Sequence, residues 1–243
     1  MTIYIGTPTT RAFDTAYVRS LFATHLQRQA VFDVVEGQAI DVGRNAICRR
    51  FLDHPVHAEW LLMHDSDATW HPEAVERLIS RNLPMVSAVI FQRGLPPRPT
   101  AGQFYGRGVA GEYNYDFGKT IAEIVKRVEV EGIDLKTPNE LVLPERDNDL
   151  YPVDGVGMHF CLIRRDVIEK IGYPWFECKG ANAGEDFDFC RKVRAAGYPI
   201  YLDLSVYTGH IVGPGFNFGL REMLAFREHT PHFKETGRWR VPA

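Results

Sequence analysis

The sequence predicts an α/β protein with a mixed, mostly parallel sheet flanked by helices. Three observations lead to this prediction. Short runs rich in valine, isoleucine and aromatic residues alternate with longer amphipathic segments over residues 1–92, as expected for β-α-β units. Those short runs are largely apolar, which is typical of strands buried on both faces. A chain of 243 residues with 45% hydrophobic residues can bury a substantial core in one large domain or two small ones, and α/β domains of this size are common as single units.

The first half of the chain carries most of this alternation. One amphipathic segment has Asp14 near its start, and a second has Arg44 and Asn45 in its early turns, so both indicate helices. Residues 68–73 are expected to begin a third helix. From these patterns we predict strands at residues 3–5 and 31–35, a strand from residue 60 that leads into the aspartates at 65 and 67, and a strand at 85–91. The predicted helices lie at 13–29, 41–52 and 72–82.

The second half is less regular. A proline-rich break at residues 92–100 leads into an excursion at 101–150, with a helix or strand pair at 119–130. Such an excursion serves as a substrate-facing lid, as an acceptor platform or as a surface decoration. Beyond it we predict a bend and buried strand at 151–163, a helix at 164–172, a helix at 184–197, strands at 198–204 and 205–210, and a basic aromatic tail.

Composition excludes several classes of protein. The net charge of −3 provides no bulk attraction for nucleic acid or anionic membranes. The four cysteines are widely spaced, so we expect reduced core thiols in a cytoplasmic protein rather than a zinc knuckle or a disulfide framework. No signal-peptide pattern and no apolar run of about 20 residues is present, so no transmembrane segment is expected.

The segment Asp65-Ser66-Asp67 is the strongest chemical signal in the chain. It follows a buried strand, and ligands of open α/β sheets bind outside the carboxyl ends of the strands. Two carboxylates this close repel each other unless a cation lies beside them, which predicts a divalent metal and, with it, a phosphate. Alternatively, Asp65 is a turn residue and Asp67 caps the helix that begins near Pro72.

Other phosphate-binding signals are absent or weaker. The sequence has no Gly-x-Gly-x-x-Gly loop after its first strands and no Gly-Lys-Ser/Thr loop. Arg44 falls in the first turns of a predicted helix, where free N–H groups favour an anion. The alternative for Arg44 is a solvated charge on the helix surface.

An ordered set of motifs resembles the GT-A glycosyltransferases, in particular the family-2-like group that uses nucleotide-sugar donors. The resemblance covers residues 1–92 and 150–212. The motifs are the Thr7-Pro8-Thr9 loop with Arg44-Asn45, the Asp65-Ser66-Asp67 triplet, Val153-Asp154-Gly155-Val156-Gly157 followed by Gly172 and Trp175-Phe176, and Gly184-Glu185-Asp186 with His210 downstream.

The resemblance implies a Rossmann-like GT-A domain at residues 1–212 with a C-terminal tail at 213–243 that could close as a lid. Within the domain, residues 1–100 would form the nucleotide-binding half, 101–150 the variable excursion and 151–212 the acceptor and catalytic half. It implies metal-dependent transfer of a sugar from a nucleoside-diphosphate sugar, UDP- or GDP-linked, to an acceptor hydroxyl. The acceptor could be a glycan, a lipid-linked intermediate, a protein or a modified nucleic acid base, and an oligomer is compatible with the sequence.

The resemblance also implies roles for individual residues. Asp67 would bind the metal, Asp65 would bind ribose or the metal, and His210 would be the third protein ligand. Carboxylates with an imidazole suit Mn²⁺, and Mg²⁺ is the alternative. His64 and His71 are interpreted as packing or surface groups. The donor would be contacted by Thr7, Pro8, Glu36, Arg44, Asp65, Ser66, Gly155, Val156 and Gly157.

Inversion at the sugar carbon requires a base, and the resemblance assigns this role to Asp186. Its place at a helix N-terminus predicts a lowered pKa and an ionised carboxylate, while the alternative is that Glu185 and Asp186 only cap the helix. Glu185 is the fallback base or an acceptor contact. Trp175 would stack on an acceptor sugar, unless it is a core aromatic.

Two other functions compete with a glycosyltransferase, and retention remains an alternative to inversion. A nucleotidyltransferase or pyrophosphorylase would share the carboxylates, but its first loop is usually glycine-rich, whereas residues 6–11 hold a single glycine. A non-catalytic nucleotide- or sugar-binding module would not need Asp186 and His210 together with the aspartate triplet.

Overall fold

A computed structural model describes residues 2–10, 12–107, 113–178, 184–213 and 216–229. The helices are α1 (Thr15–Ala23), α2 (Ile40–Asp53), α3 (Ala74–Ser80), α4 (Gly118–Val130), α5 (Arg165–Ile171), α6 (Glu185–Ala195) and α7 (Leu220–His229). The strands are β1 (Thr2–Thr9), β2 (Gln29–Glu36), β3 (Trp60–His64), β4 (Ala68–Trp70), β5 (Met85–Val89), β6 (Ala101–Arg107), β7 (Tyr113–Asp116), β8 (Leu141–Val142), β9 (Leu150–Val153), β10 (Gly155–Val156), β11 (Phe160–Arg164), β12 (Ile200–Gly213) and β13 (Phe216–Phe218).

The central sheet is mixed and mostly parallel, as predicted. Its strand order is β13-β12-β5-β11-β3-β1-β2. Strand β1 is parallel to β2 and β3, and β12 is parallel to β5, whereas β11 runs antiparallel between β3 and β5. Five strands therefore end at the same edge of the sheet, and the reversed strand β11 begins there.

Strand β3 explains why the sequence before the aspartate triplet is apolar throughout. Two hydrophobic clusters of the core lie against this sheet. Leu61 and Met63 belong to one cluster, and Trp60 and Leu62 belong to the other. Successive side chains of a strand point to opposite faces, so a strand covered on both sides needs an apolar residue at every position.

Two predicted boundaries were wrong near the triplet and at the end of the sheet. Residues 68–70 form the short strand β4 rather than a helix start, and α3 begins only at Ala74. The two strands predicted at 198–210 are one continuous strand, β12. Its pairing with β5 is irregular between Asp203 and Tyr207, and beyond that point it pairs with β4. A bulge bends a strand in this way without ending it.

The excursion at residues 101–150 is joined to the body of the domain. Strands β6 and β7 form a hairpin that pairs with β10 in a small second sheet. Residues 119–130, predicted as a helix or a strand pair, lie in helix α4, whose residues Ile121, Ile124 and Val128 are buried. This segment is therefore packed against the rest of the domain, and its part in the chemistry stays a prediction.

The first part of the predicted tail also packs on the domain. Strand β13 pairs with β12, and helix α7 places Leu220, Met223 and Leu224 in the main hydrophobic cluster. The rest of the predicted lid, residues 230–243, lies outside the described residues.

Two helix ends follow local sequence signals, whereas α1 ends at Ala23, before the predicted end at residue 29, which lies in β2. The Asp14 side chain accepts a hydrogen bond of 2.8 Å from the Ala16 N–H at the start of α1. Gly172 ends α5 with φ of 72°, a left-handed conformation that favours glycine. No helix among the described residues is long and apolar enough to cross a membrane.

The cysteine prediction holds for three of the four thiols. Cys48, Cys161 and Cys190 are free and buried, and burial raises the pKa of each thiol. Cys178 is free but exposed, so its interpretation as a core thiol was wrong.

Candidate active site

The aspartate triplet forms the turn between β3 and β4, at the edge where the parallel strands end. The Asp65 N–H donates to the His159 carbonyl at 3.1 Å, and the Asp65 carbonyl accepts from the Ala68 N–H at 3.1 Å. The Asp67 carbonyl accepts from the Ile211 N–H at 2.8 Å. These backbone bonds tie the turn to the start of β11 and to the far part of β12.

Three side chains converge beside this turn in an arrangement that could hold a metal ion. One ligand atom from each of Asp67, His159 and His210 lies within 4.8 Å of the other two. Nδ1 of His159 is 3.6 Å from Oδ1 of Asp67, and Nε2 of His210 is 3.5 Å from Oδ2 of Asp67. Ser66 is half-buried between the two aspartates.

Backbone carbonyls orient both imidazoles toward this cluster. Nδ1–H of His210 donates to the Phe91 carbonyl at 3.2 Å, which leaves its Nε2 lone pair facing Asp67. Nε2–H of His159 donates to the Gly209 carbonyl at 3.4 Å. A carbonyl on the second ring nitrogen fixes the tautomer in the manner typical of metal-binding histidines.

Nδ1 of His159 is the atom of this cluster best suited to bind a cation. It is buried and has no hydrogen-bond partner among the described residues, and a buried polar atom in that state needs an explanation. Burial lowers the pKa of His159, although Asp65 opposes the shift, so the ring is neutral as a metal ligand must be. Two imidazoles and one carboxylate suit Mn²⁺ and related transition metals better than Mg²⁺, which prefers oxygen ligands.

Arg44 connects the triplet to the N-terminus of α6. Its side chain is 4% exposed, and Nη2 donates to Oδ1 of Asp65 at 2.9 Å while Nη1 donates to Oε1 of Glu185. Burial would raise the pKa of Asp65, but the charge and hydrogen bond of Arg44 hold it well below its usual range. Both amino groups of Arg44 are therefore occupied by carboxylates rather than facing an open diphosphate site.

Asp186 has a raised pKa, so the prediction of a lowered one was wrong. Oδ1 accepts from the Phe187 N–H at 2.8 Å at the start of α6. Burial and the charge of Glu185 nevertheless raise the pKa of Asp186 to about 6, against a lowering contribution from Arg44. Desolvation thus outweighs the helix terminus, and a pKa near 6 suits a general base that works near neutral pH.

The residues predicted to surround the nucleoside lie on β1 or at the end of the neighbouring strand β2. The Thr7 hydroxyl is buried and hydrogen-bonds to the Tyr17 hydroxyl at 3.1 Å and to Nε2 of His64 at 3.0 Å. Pro8 is buried on the same strand, and Glu36 is exposed at the end of β2. The Thr7 side chain is therefore engaged inside the domain.

The two histidines that flank the triplet have the structural roles expected of them. His64 is fully buried next to Tyr17 and Trp70, and burial lowers its pKa to about 3. His71 is half-buried after β4, and its Nδ1 accepts from the Glu73 N–H at 3.3 Å.

Three residues assigned to donor or acceptor binding are tightly packed in the structure. A Cβ on Gly155 would lie 2.5 Å from a ring carbon of Phe187, so this glycine permits close packing rather than approach to a sugar. Val156 is fully buried. Trp175 is 4% exposed and its Nε1–H donates to the Ile168 carbonyl at 2.8 Å, so it is a core aromatic and does not stack on an acceptor.

Gly157, by contrast, lies next to the candidate base. A Cβ added to Gly157 would be 3.5 Å from Oδ2 of Asp186 and 3.0 Å from the Thr100 side chain. A side chain at this position would therefore crowd Thr100 and lie against the carboxylate.

Two residues of the site were missed by sequence reasoning. His159 comes just before β11, and Arg93 follows β5 with its Nη2 3.2 Å from Oδ2 of Asp67. The position of Arg93 after a predicted strand was an available signal, since the carboxyl ends of parallel strands share one edge.

No family model matches the chain, and no curated protein matches it significantly. Among solved structures it is similar to A197 from STIV, with a TM-score of 0.54, 16% identity and 90% coverage of both chains. It is also similar to GalNAc-T7 crystallised with UDP, GalNAc and Mn²⁺, with a TM-score of 0.54 and 12% identity. That match covers 93% of this chain and 47% of the other, so the chain spans about half the length of GalNAc-T7. Likeness at these identities concerns the fold alone, and the chain has a glycosyltransferase-like fold of the GT-A type.

Proposed function

We propose that the protein is a metal-dependent glycosyltransferase that moves a sugar from a nucleoside-diphosphate sugar to an acceptor hydroxyl with inversion. The observation that carries the proposal is the convergence of Asp67, His159 and His210 at the edge of the sheet. Arg44 joins this edge to the α6 terminus that bears Asp186, so a metal-type ligand set and a base of suitable pKa belong to one site.

The donor in this proposal is a UDP-sugar, with a GDP-sugar as the alternative. The presence of UDP and Mn²⁺ in the similar GalNAc-T7 structure supports this choice. Asp65 is kept ionised by Arg44, so its carboxylate accepts a ribose hydroxyl, with Ser66 beside it. Pro8 and Glu36 border the nucleoside.

The cation would be held by the Asp67 carboxylate, Nδ1 of His159 and Nε2 of His210. When bound, a divalent ion supplies charge neutralisation for the leaving diphosphate. Arg93 pairs with Asp67 through a half-exposed side chain, and it is placed to attract a diphosphate oxygen as that charge develops.

Asp186 accepts the proton of the acceptor hydroxyl in this mechanism. Gly157 places no side chain against Oδ2 of Asp186, and in this proposal the acceptor hydroxyl donates to that oxygen. Glu185 is held by Arg44, so it positions the arginine rather than acting as a second base.

The test is a thermal-shift panel of UDP, GDP, CDP, ADP and dTDP, each with and without MnCl₂. A ligand at about 100 times its Kd stabilises the native state by about 2.7 kcal/mol, which raises the Tm of a domain of this size by roughly 5–10 °C. We expect one diphosphate to give a shift of this size that requires the metal.

Matched variants locate the effect. Asp67→Asn and His159→Asn should abolish the metal-dependent shift, whereas His71→Asn, a change at a histidine near the triplet but outside the cluster, should keep it. Release of the free diphosphate from the corresponding sugar nucleotide then separates an enzyme from a binding module. A panel in which no diphosphate raises the Tm, with or without metal, overturns the proposal.

A further inference from the structure

A second concave site lies on the face formed by the β6–β7 hairpin and α6. It is a cavity of about 290 Å³ lined by Phe104, Tyr115, Asp154, Arg191 and Arg194. This volume is at the lower end of the roughly 300–1,000 Å³ typical of small-molecule sites, so it accommodates a single ring rather than a nucleotide or a peptide segment.

The hairpin and the small sheet build both walls of this cavity. Phe104 and Tyr115 are a directly opposed cross-strand pair whose ring centroids are 5.9 Å apart. The Asp154 carboxylate accepts from the Phe104 N–H at 3.0 Å and pairs with Nη1 of Arg194 at 2.7 Å. Phe104 remains 42% exposed, so an aromatic surface faces solvent beside a fixed carboxylate–guanidinium pair.

The cavity is connected to the proposed base by short, well-packed links. The ring centroids of Tyr115 and Phe187 are 4.5 Å apart, and Phe187 directly follows Asp186 in the chain. The chain segment from Asp154, in the cavity wall, to Gly157, beside Asp186, spans three residues, or roughly 10 Å when extended. The cavity wall and the residue beside Asp186 are therefore separated by at most roughly 10 Å of backbone, a length that about two linked sugar rings span.

We propose that this cavity is an acceptor subsite for a neutral sugar residue, which makes the acceptor of the proposed transfer reaction a glycan. The inference rests on the proposed function for its placement, while the chemistry of the cavity supports a sugar independently. A sugar ring has an apolar face of C–H groups that packs on an aromatic ring such as Phe104. Its edge carries adjacent hydroxyls that suit planar carboxylate and guanidinium groups.

The charges of the lining favour a neutral sugar over an acidic one. Asp154 and Arg194 neutralise each other, and Arg191 is paired with Asp188 at 2.9 Å. Both arginines among the described lining residues are therefore paired, which disfavours a phosphate or a uronate, and the polar groups of the lining suit hydrogen bonds to hydroxyls.

The experiment is ligand-observed saturation-transfer NMR on the full chain with methyl glycosides of neutral hexoses and N-acetylhexosamines. Methyl glucuronide, uridine and a tyrosine-containing tripeptide serve as competing chemistries. We expect a saturation-transfer signal from at least one neutral glycoside. Phe104→Ala should reduce that signal by about five-fold or more, because the aromatic surface on which the sugar stacks is lost. Tyr105→Ala is the matched control, since Tyr105 is the neighbouring aromatic, 68% exposed, and does not line the cavity.

The outcomes distinguish this inference from the proposed function. Three results overturn the subsite. They are no saturation-transfer signal from any neutral glycoside, an equal loss of signal in Phe104→Ala and Tyr105→Ala, or a signal only from methyl glucuronide, uridine or the tripeptide. A metal-dependent diphosphate shift that survives in Phe104→Ala, alongside loss of glycoside binding, supports both. Glycoside binding through Phe104 in a protein that no diphosphate stabilises keeps the sugar site and removes the transferase.

Discussion

The raised pKa of Asp186 makes the replacement Asp186→Asn informative about stability as well as activity. Burial raises the pKa of this carboxyl from 3.8 to about 6, so the folded protein holds a proton that the unfolded chain has already released. Between these two values the unfolded state binds fewer protons, and stability falls as pH rises. Asparagine keeps the shape and has no proton to lose, so the variant lacks this decline.

The size of the effect follows from the displacement of the pKa. A shift of about two units corresponds to about 3 kcal/mol, at about 1.4 kcal/mol per unit. With the folded pKa near 6, about 1.4 kcal/mol of that change falls between pH 5 and pH 8. The variant should therefore gain about 1.4 kcal/mol on the wild type between these pH values, while turnover falls by about 10²–10⁴-fold as for other lost general bases.

Urea unfolding at pH 5, 6, 7 and 8, followed by tryptophan fluorescence, measures both chains under identical conditions. Asp188→Asn is the matched control, two residues further along α6. Burial would raise the pKa of Asp188, but hydrogen bonds from Arg191 and Lys192 lower it. Its charged form is therefore stabilising, and the control should be less stable than the wild type at neutral pH.

A difference in stability between Asp186→Asn and wild type that stays constant from pH 5 to pH 8 would refute the reasoning. The Asp186 carboxyl would then titrate alike in the folded and unfolded chain. The physical basis for choosing it as the base would disappear, even if the variant were inactive.

Two further predictions concern the packing around the site. Arg44→Met leaves two half-buried carboxylates without their counter-ion and should lower the free energy of unfolding, measured in urea, by about 3–5 kcal/mol. Arg50→Met, at a half-exposed ion pair, should lower it by at most about 1 kcal/mol. Equal losses of stability in the two variants would contradict the buried bridge. Gly155→Ala places a Cβ 2.5 Å from Phe187 and should lower stability by about 1–3 kcal/mol. Gly213→Ala meets nothing within 4 Å, and a Tm for Gly155→Ala as high as that of this control would contradict the packing role.

Local signals allowed much of the fold to be predicted. The apolar run at residues 60–63 identifies a strand buried on both faces, and Asp14 and Gly172 mark helix ends through bonds made within a few residues. The α/β class follows from the alternation of such elements. All of these depend on interactions that neighbouring residues determine.

The site was less predictable because it depends on strand direction and burial. His159 reaches Asp67 and His210 only because β11 is antiparallel, which places the start of that strand at the edge where β3 ends. Nothing in the local sequence encodes that reversal. The pKa of Asp186 was misjudged for a related reason: its helix position is local, whereas its desolvation comes from residues distant in the chain.

The distribution of hydrogen bonds around Arg44 explains why one of three acidic groups is suited to be a base. Both amino groups of Arg44 donate hydrogen bonds, one to Asp65 and one to Glu185. The guanidinium lowers the pKa of Asp186 only through its charge. The paired Asp65 is consequently held ionised, while burial keeps the pKa of Asp186 high. Had Arg44 donated to Asp186 instead, that carboxylate would be a weaker base and Asp65 would lose its charge partner. The buried Arg44 thus keeps Asp65 negatively charged at the proposed donor side and leaves Asp186 able to accept a proton at the proposed acceptor side.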